Sequence, residues 1–205
     1  MSIFLIRHGE TALNASRTLQ PAATPLSPRG LEQARAIARR LAASSSIAAI
    51  VSSDMPRAAQ TAEAIGAACG LPVIWEPLLH ERNYGDLRGR PYDSLGFDPM
   101  TLVDAPPAGE SAATFASRVS TAFERVLALH QTLDGDLVVV THGLVIAVML
   151  QSHATLPVDV PMPARLGNTS VTILSAQPPH VVSLADCTRH LDTEAGDDPL
   201  ALSGG

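Results

Sequence analysis

The stretch IFLIRHGET (residues 3–11) decides how the rest of the chain is read. Four apolar residues that end abruptly in Arg7, His8 and Gly9 predict a short strand covered on both faces, as in a parallel sheet. On its own such a strand is either a plain sheet edge turning into solvent or the support for an imidazole at the floor of an anion pocket. The segments around it separate the two.

NASRTLQPAATPLSPRG (14–30) reads as a loop, near the end of which Ser27 and Pro28 supply a helix cap and first turn. Leu31, Ala34, Ile37, Ala38 and Leu41 then recur at helical spacing and predict one face packed on a sheet. IAAIVSSD (47–54) repeats the pattern of strand and turn, and PRAAQTAEAIGAACG (56–70) predicts a helix ended by Gly70, with Pro72 beyond it. VIW (73–75) is a third strand. Alternating strands and helices imply an α/β fold with a parallel sheet. Residues 76–111 are irregular and rich in Gly and Pro, a length that in a compact domain implies a lid, a binding loop or a hidden short helix.

Ser111 is expected to cap a long amphipathic helix whose stripe is Phe115, Val119, Ala122, Val126, Leu129 and Leu133. DLVVVTHG (136–143) predicts the most buried strand, followed by the apolar helix LVIAVMLQSH (144–153). TSVTILSA (169–176) and HVVSLAD (180–186) predict a final pair of strands. The expected organisation is a single domain over residues 1–191 with a lid-like insertion at about 80–110, and a loosely ordered tail at 192–205.

Composition narrows the function classes. At 205 residues, 46% hydrophobic and 17% charged, the chain suits one globular core, aliphatic because aromatics are only 3%. A net charge of −6 with no Lys or Arg run excludes a general nucleic-acid surface or an anionic-membrane surface. Cys69 and Cys187 have no metal-type spacing and are too few for a disulfide framework. Neither a leader-like segment nor a run of about 20 apolar residues is evident, so the expected location is cytoplasmic.

Open α/β sheets bind ligands beyond the carboxyl ends of their strands. Arg7-His8-Gly9, Ser52-Ser53-Asp54 leading to Arg57, and Thr141-His142-Gly143 all stand there. Two arginines and two histidines on one rim of an acidic protein make the composition of a phosphate site, since guanidinium forks match phosphate oxygens and imidazole attacks phosphorus or donates to it. Two competing motifs fail. His80-Glu81 lacks the second histidine of HExxH, and GESAA (109–113) has neither the preceding strand nor the final glycine of a nucleophile elbow.

LIRHGET with Asn14 beyond it, TPLSPRGLEQA (24–34), SSDMPRAAQTAEAI (52–65), LLHERNYGDLRG (78–89), PPAGES (106–111), VVVTHG (138–143), GNTSVTIL (167–174) and the late His190-Leu191 together resemble the histidine phosphatase superfamily, which includes cofactor-dependent phosphoglycerate mutases. The resemblance covers nearly the whole chain in order. It implies a three-layer α/β/α sandwich around a mostly parallel central sheet with an antiparallel edge strand. It also implies His8 as nucleophile, Arg7, Arg57 and His142 as holders of the phosphoryl oxygens, and Glu81 as proton donor, with Asp86 and Asp93 as fallback acids. Asn14, Gly143, Arg82 and Tyr84 are implied substrate-binding residues, with Ser16, Arg17 and Gln20 near the mouth and Gly9 permitting a tight turn.

No metal and no organic cofactor is expected for this chemistry. The expected partner is a small phosphorylated metabolite, with no nucleic acid and no membrane; the oligomeric state stays open, a homodimer included. The expected activity is phosphomonoester hydrolysis through a phosphohistidine. The alternative is a 2,3-bisphosphoglycerate-dependent phosphoglycerate mutase, which ERNYGDLRG also resembles. Against it, the mutase lysine falls at about Tyr92 and residues 94–117 hold no Lys or Arg. A non-catalytic phosphate-binding or regulatory module is the third reading. Leu13 and Pro21 depart from the family's common spelling, where an aromatic and a glycine are frequent.

Overall fold

The computed structural model describes residues 1–43, 46–158, 160, 162–163 and 165–191. The elements in chain order are β1 (Ser2–Arg7), α1 (Ala12–Ala15), α2 (Pro28–Ala43), β2 (Ile47–Ser52), α3 (Pro56–Cys69), β3 (Val73–Trp75), α4 (Ala112–His130), β4 (Asp136–Thr141), α5 (Gly143–His153), β5 (Val171–Ser175) and β6 (Val182–Cys187). The expected tail at 192–205 lies outside the described residues.

One six-stranded sheet has the order β3-β2-β4-β1-β5-β6. β1, β2, β3 and β4 pair in parallel, and β5 runs antiparallel to both β1 and β6. The reversed strand therefore lies one in from the margin, with β6 beyond it. This is the mostly parallel α/β/α sandwich expected from the sequence.

Period-two alternation in the central strands divides the core. Ile3, Leu5, Leu137 and Val139 face α4 and α5, where Phe115, Val119, Val126, Val145 and Ile146 join them. Ile6, Ile50, Val138 and Val140 face α2 and α3, against Ile37, Leu41, Ala62 and Ile65. Strands buried on both faces need apolar residues at every position, which is why IFLI and LVVV are unbroken runs.

Helix ends follow local chemistry. Ser111 Oγ accepts the Thr114 N–H at 3.1 Å and caps α4. Gly70 ends α3 in the left-handed region at φ 69°. The structure corrects three details of the sequence reading. The one-turn helix α1, closed by a reciprocal Thr11–Asn14 capping box, runs into the start of the segment read as a loop. Leu31 is 36% exposed and outside the core, because the α2 face toward the sheet is completed by Gln33, Ala34, Ile37 and Leu41. Leu133 lies beyond the last turn of α4, packed on the core from a loop.

Candidate active site

β2, β4 and β1 are neighbours in the sheet, so their carboxyl ends lie side by side. Main-chain bonds join the connections that leave them: the His8 N–H donates to Thr141 O at 2.9 Å and the Ser53 N–H to Val140 O at 3.1 Å. The chain leaving β1 presses on the start of α2, where a Cβ on Gly30 would lie 2.0 Å from Glu10 O and one on Gly9 2.6 Å from Gly30 O. Only glycine permits that approach. The Gly9 N–H is held by Thr61 Oγ1 of α3 at 3.1 Å.

His8 and His142 are 1% and 0% exposed, with ring centroids 5.1 Å apart and planes at 60°. His8 Nδ1 lies 2.7 Å from Gly9 O. A carbonyl only accepts, so Nδ1 carries the hydrogen and Nε2 keeps its lone pair. His142 Nε2 lies 2.9 Å from Ser53 Oγ, which itself accepts the Met55 N–H at 3.3 Å. With the Ser53 hydroxyl donating to Nε2, the imidazole hydrogen sits on Nδ1, which is buried with no hydrogen-bond partner in the structure. Burial, then the nearby Arg57 charge, holds both imidazoles well below the usual histidine range, so both are neutral at neutral pH.

The Arg7 guanidinium donates to Leu166 O. Arg57 rises from the first turn of α3, with a long contact of 3.5 Å to Pro21 O. Burial lowers its pKa to about 10, still cationic at neutral pH. Asn168 donates from Nδ2 to His8 O at 3.1 Å, fixing the main chain that carries the imidazole.

Glu81 is 3% exposed and reaches the same rim from the segment after β3. Its Oε1 accepts the Arg82 N–H at 3.0 Å and its Oε2 the Leu144 N–H, in the first turn of α5, at 3.3 Å. Desolvation raises its pKa, against the opposing pull of the Arg82 hydrogen bond and the Arg57 charge. Arg57 and Glu81 thus sense one another across the site.

The remaining expected residues divide. Asn14 is buried and uses its Oδ1 in the α1 capping box, and Gly143 begins α5. Arg82 lies over the Tyr84 ring at 5.2 Å and donates to Glu110 O at 3.3 Å, while Tyr84 is buried with Leu19 and Tyr92. Gln20 is buried against Thr11 Oγ1 at 2.9 Å, whereas Arg17 pairs with Asp93 at the surface.

Sequence reading missed the support of Glu81. Arg118 of α4 donates to Leu78 O and His80 O, both at 2.8 Å, and to Glu81 O at 3.4 Å. The same guanidinium grips Glu110 at 2.6 Å, and Glu110 Oε1 accepts the Asn83 N–H at 2.8 Å. One fork therefore fastens the main chain on both sides of Glu81 to a long helix. Among the described residues, no group of three or more His, Cys, Asp or Glu is placed to hold a metal ion, and no helix is long and apolar enough to cross a membrane.

Paired imidazoles between buried guanidiniums, at the carboxyl rim of a parallel sheet, define an α/β enzyme site made for a tetrahedral oxyanion. The chain belongs to the histidine phosphatase superfamily, branch 1, whose model matches residues 3–185. It is 34% identical to a probable phosphoglycerate mutase GpmB of Yersinia enterocolitica, over 97% of this chain and 98% of the relative. Among solved structures it is similar to a mycobacterial glucosyl-3-phosphoglycerate phosphatase in complex with VO3, at 29% identity and TM-score 0.72, covering 85% of this chain and 90% of that one. It is also similar to a putative alpha-ribazole-5'-P phosphatase from Escherichia coli K-12, at 26% identity and TM-score 0.75, covering 92% and 97%. A mutant phosphoserine phosphatase from Entamoeba histolytica shares the fold at TM-score 0.74 and 24% identity, covering 93% and 99%.

Proposed function

We propose that this enzyme hydrolyses a small phosphomonoester through a phosphohistidine on His8. The observation that carries the reading is the tautomer of His8: a main-chain acceptor 2.7 Å from Nδ1 leaves Nε2 as a neutral nucleophile. The Nε2 lone pair forms the N–P bond as the ester P–O bond breaks. Glu81, kept protonated to higher pH by burial, gives its proton to the departing alkoxide oxygen. The resulting carboxylate then takes a proton from water, whose oxygen attacks phosphorus. The N–P bond breaks, its electron pair returns to Nε2, and phosphate leaves.

Arg7, Arg57 and His142 Nδ1–H hold the three non-bridging oxygens, whose charge is redistributed as the transferring group becomes metaphosphate-like. The chain's own side chains supply nucleophile, proton donor and oxyanion holders. The substrate enters over residues 80–110, which act as a lid-like insertion of the single domain spanning 1–191, and the enzyme works in the cytoplasm.

Likeness to a probable mutase supports phosphoryl exchange between positions of one molecule as a second reading. Exchange requires additional positive charge to keep the intermediate bound. Of the arginines that follow Glu81, Arg82 and Arg90 are engaged with Glu110 O and Ser94 O, which leaves Arg88 as the single additional cation beside the site, and residues 94–117 add none. A substrate panel run with and without 2,3-bisphosphoglycerate, reporting phosphate and isomerised product, tests the choice. Phosphate release independent of bisphosphoglycerate is expected; isomerised product that depends on it would overturn the hydrolase reading.

A further inference from the structure

Two cavities, of about 250 and 430 Å³, meet beside Glu81 and share Met55, His80 and Arg88 in their walls. The smaller is also lined by Glu81, Glu110 and Arg118 and the larger by Asp54. The proton donor faces this space, so it lies on the side where the leaving alcohol of the proposed reaction departs.

The wall charges are almost all satisfied. Asp54 pairs with His80 Nε2, Glu110 with Arg118, and Glu81 accepts two main-chain N–H groups. Arg88 differs. Among the described residues lining the two cavities, it is the one charged side chain with no hydrogen bond and no ion pair. Its neighbours in the segment contrast with it: Arg82 and Arg90 each donate to a main-chain carbonyl.

Its position is nonetheless fixed. The Arg88 N–H donates to Gly85 O at 3.1 Å and the Gly89 N–H to Leu19 O, which pins the turn at both sides. Gly85 has φ +52°, and a Cβ there would lie 1.9 Å from Pro107 O, so the turn is wedged against the 106–109 segment. Partial burial lowers the guanidinium's pKa, and its charge in turn lowers that of Arg57, which brings the two within electrostatic reach.

We infer that Arg88 is a second anion subsite, which selects phosphomonoesters whose leaving alcohol carries a carboxylate near the ester oxygen. The inference rests on the phosphatase reading only for the direction of the leaving group. A half-buried, preplaced guanidinium whose side chain makes no hydrogen bond, and which feels Glu110 only through space, gains most from a bidentate carboxylate, while the apolar Met55 wall accommodates the short carbon chain between the two anions. A bare alkyl alcohol offers Arg88 nothing.

Equilibrium binding in a His8→Ala background separates this from turnover. The probes are matched pairs that differ at the carboxylate: O-phosphoserine against phosphoethanolamine, and 3-phosphoglycerate against glycerol 1-phosphate. The carboxylate member of each pair is expected to bind about 10-fold or more tightly, the scale of one charge-assisted hydrogen bond. Adding Arg88→Ala is expected to bring each ratio toward one, and Arg88→Lys to retain part of it. Because both members of a pair engage the same floor, the ratio is insensitive to a general loss of folded protein. Equal affinities within the pairs, a ratio that survives Arg88→Ala, or no binding of any probe would overturn the subsite. Turnover of p-nitrophenyl phosphate by the unsubstituted enzyme, an ester with no carboxylate, reads the phosphatase proposal separately.

Discussion

His8 and Glu81 are both nearly inaccessible to water, but the molecule holds them by different means. His8 stands at the end of a central strand whose backbone is paired on both sides, to β4 and β5, and its ring is fixed by the next peptide's carbonyl. Glu81 stands in a segment without sheet pairing, between two single-turn 3₁₀ helices, Pro77–Leu79 and Gly85–Leu87. There, order comes from side chains: the Arg118 fork, Glu110 and the wedge at Gly85.

The floor is fixed by the fold and the rim by a few ion pairs. The phosphoryl chemistry proposed for the floor is common to every phosphomonoester, and it is assigned to the part of the molecule that cannot be moved without unfolding the sheet. The leaving group differs from substrate to substrate, and the proposed proton donor and Arg88 sit where single residues decide the geometry.

Removing the proposed nucleophile from the floor should be the most severe change. His8→Ala is expected to lower kcat by roughly 10⁴-fold or more on aryl and alkyl phosphates alike, measured as phosphate release. Comparable turnover by the variant would break the contrast outright.

Glu81→Gln should discriminate between esters, because an aryl oxide leaves without a proton and an alkoxide does not. For alkyl phosphates kcat/KM, which reads formation of the phosphohistidine, should fall about 10²- to 10⁴-fold with a much smaller effect on kcat/KM for p-nitrophenyl phosphate, while slower hydrolysis of the shared intermediate lowers kcat for both. The raised pKa of Glu81 places the alkaline fall of kcat/KM for alkyl esters above the ordinary carboxyl range, and that limb should vanish in the variant. Equal losses of kcat/KM on both ester classes would contradict the assignment.

Arg118→Ala should imitate Glu81→Gln at smaller amplitude, about 10- to 100-fold on alkyl esters, since it displaces the donor without removing it. Arg118→Lys should recover only part, because an ammonium cannot reproduce the fork that grips Glu110 and three carbonyls. A loss equal on aryl and alkyl esters would mark Arg118 as purely structural.

The smallest effect is on stability. His8 and His142 are held well below the histidine value of 6.5, so the unfolded chain takes up protons that the folded one refuses. Their contribution is intact above about pH 6.5 and is lost as pH falls below it. Urea midpoints should drop between pH 7.5 and 5.5, less steeply in His142→Gln; an unchanged slope would show that burial of His142 is not coupled to folding.

What was legible in the sequence follows the same division. The strands of the floor are continuous apolar runs, and a histidine directly after such a run declares its own position; hence Arg7, His8, Arg57 and His142 were all expected where they lie. Glu81 is implied by resemblance, not by periodicity, because its segment has none. Arg118 left no sign: it is one arginine on the polar side of a helix, and three of its acceptors are carbonyls, which carry no residue-type signal. The Leu166 carbonyl was silent for the same reason. The α1 turn was too short for a helical period, and only Thr11 and Asn14, three apart, mark it.

The central claim is that His8 Nε2 forms the bond to phosphorus. Incubation with a ³²P-labelled phosphomonoester, an alkaline quench and peptide mapping test it directly. The account predicts alkali-stable, acid-labile label on the peptide containing His8, accumulating in Glu81→Gln with an aryl phosphate and absent from His8→Ala. Turnover with no label on His8 under any quench time, or label that persists after His8→Ala, would contradict it.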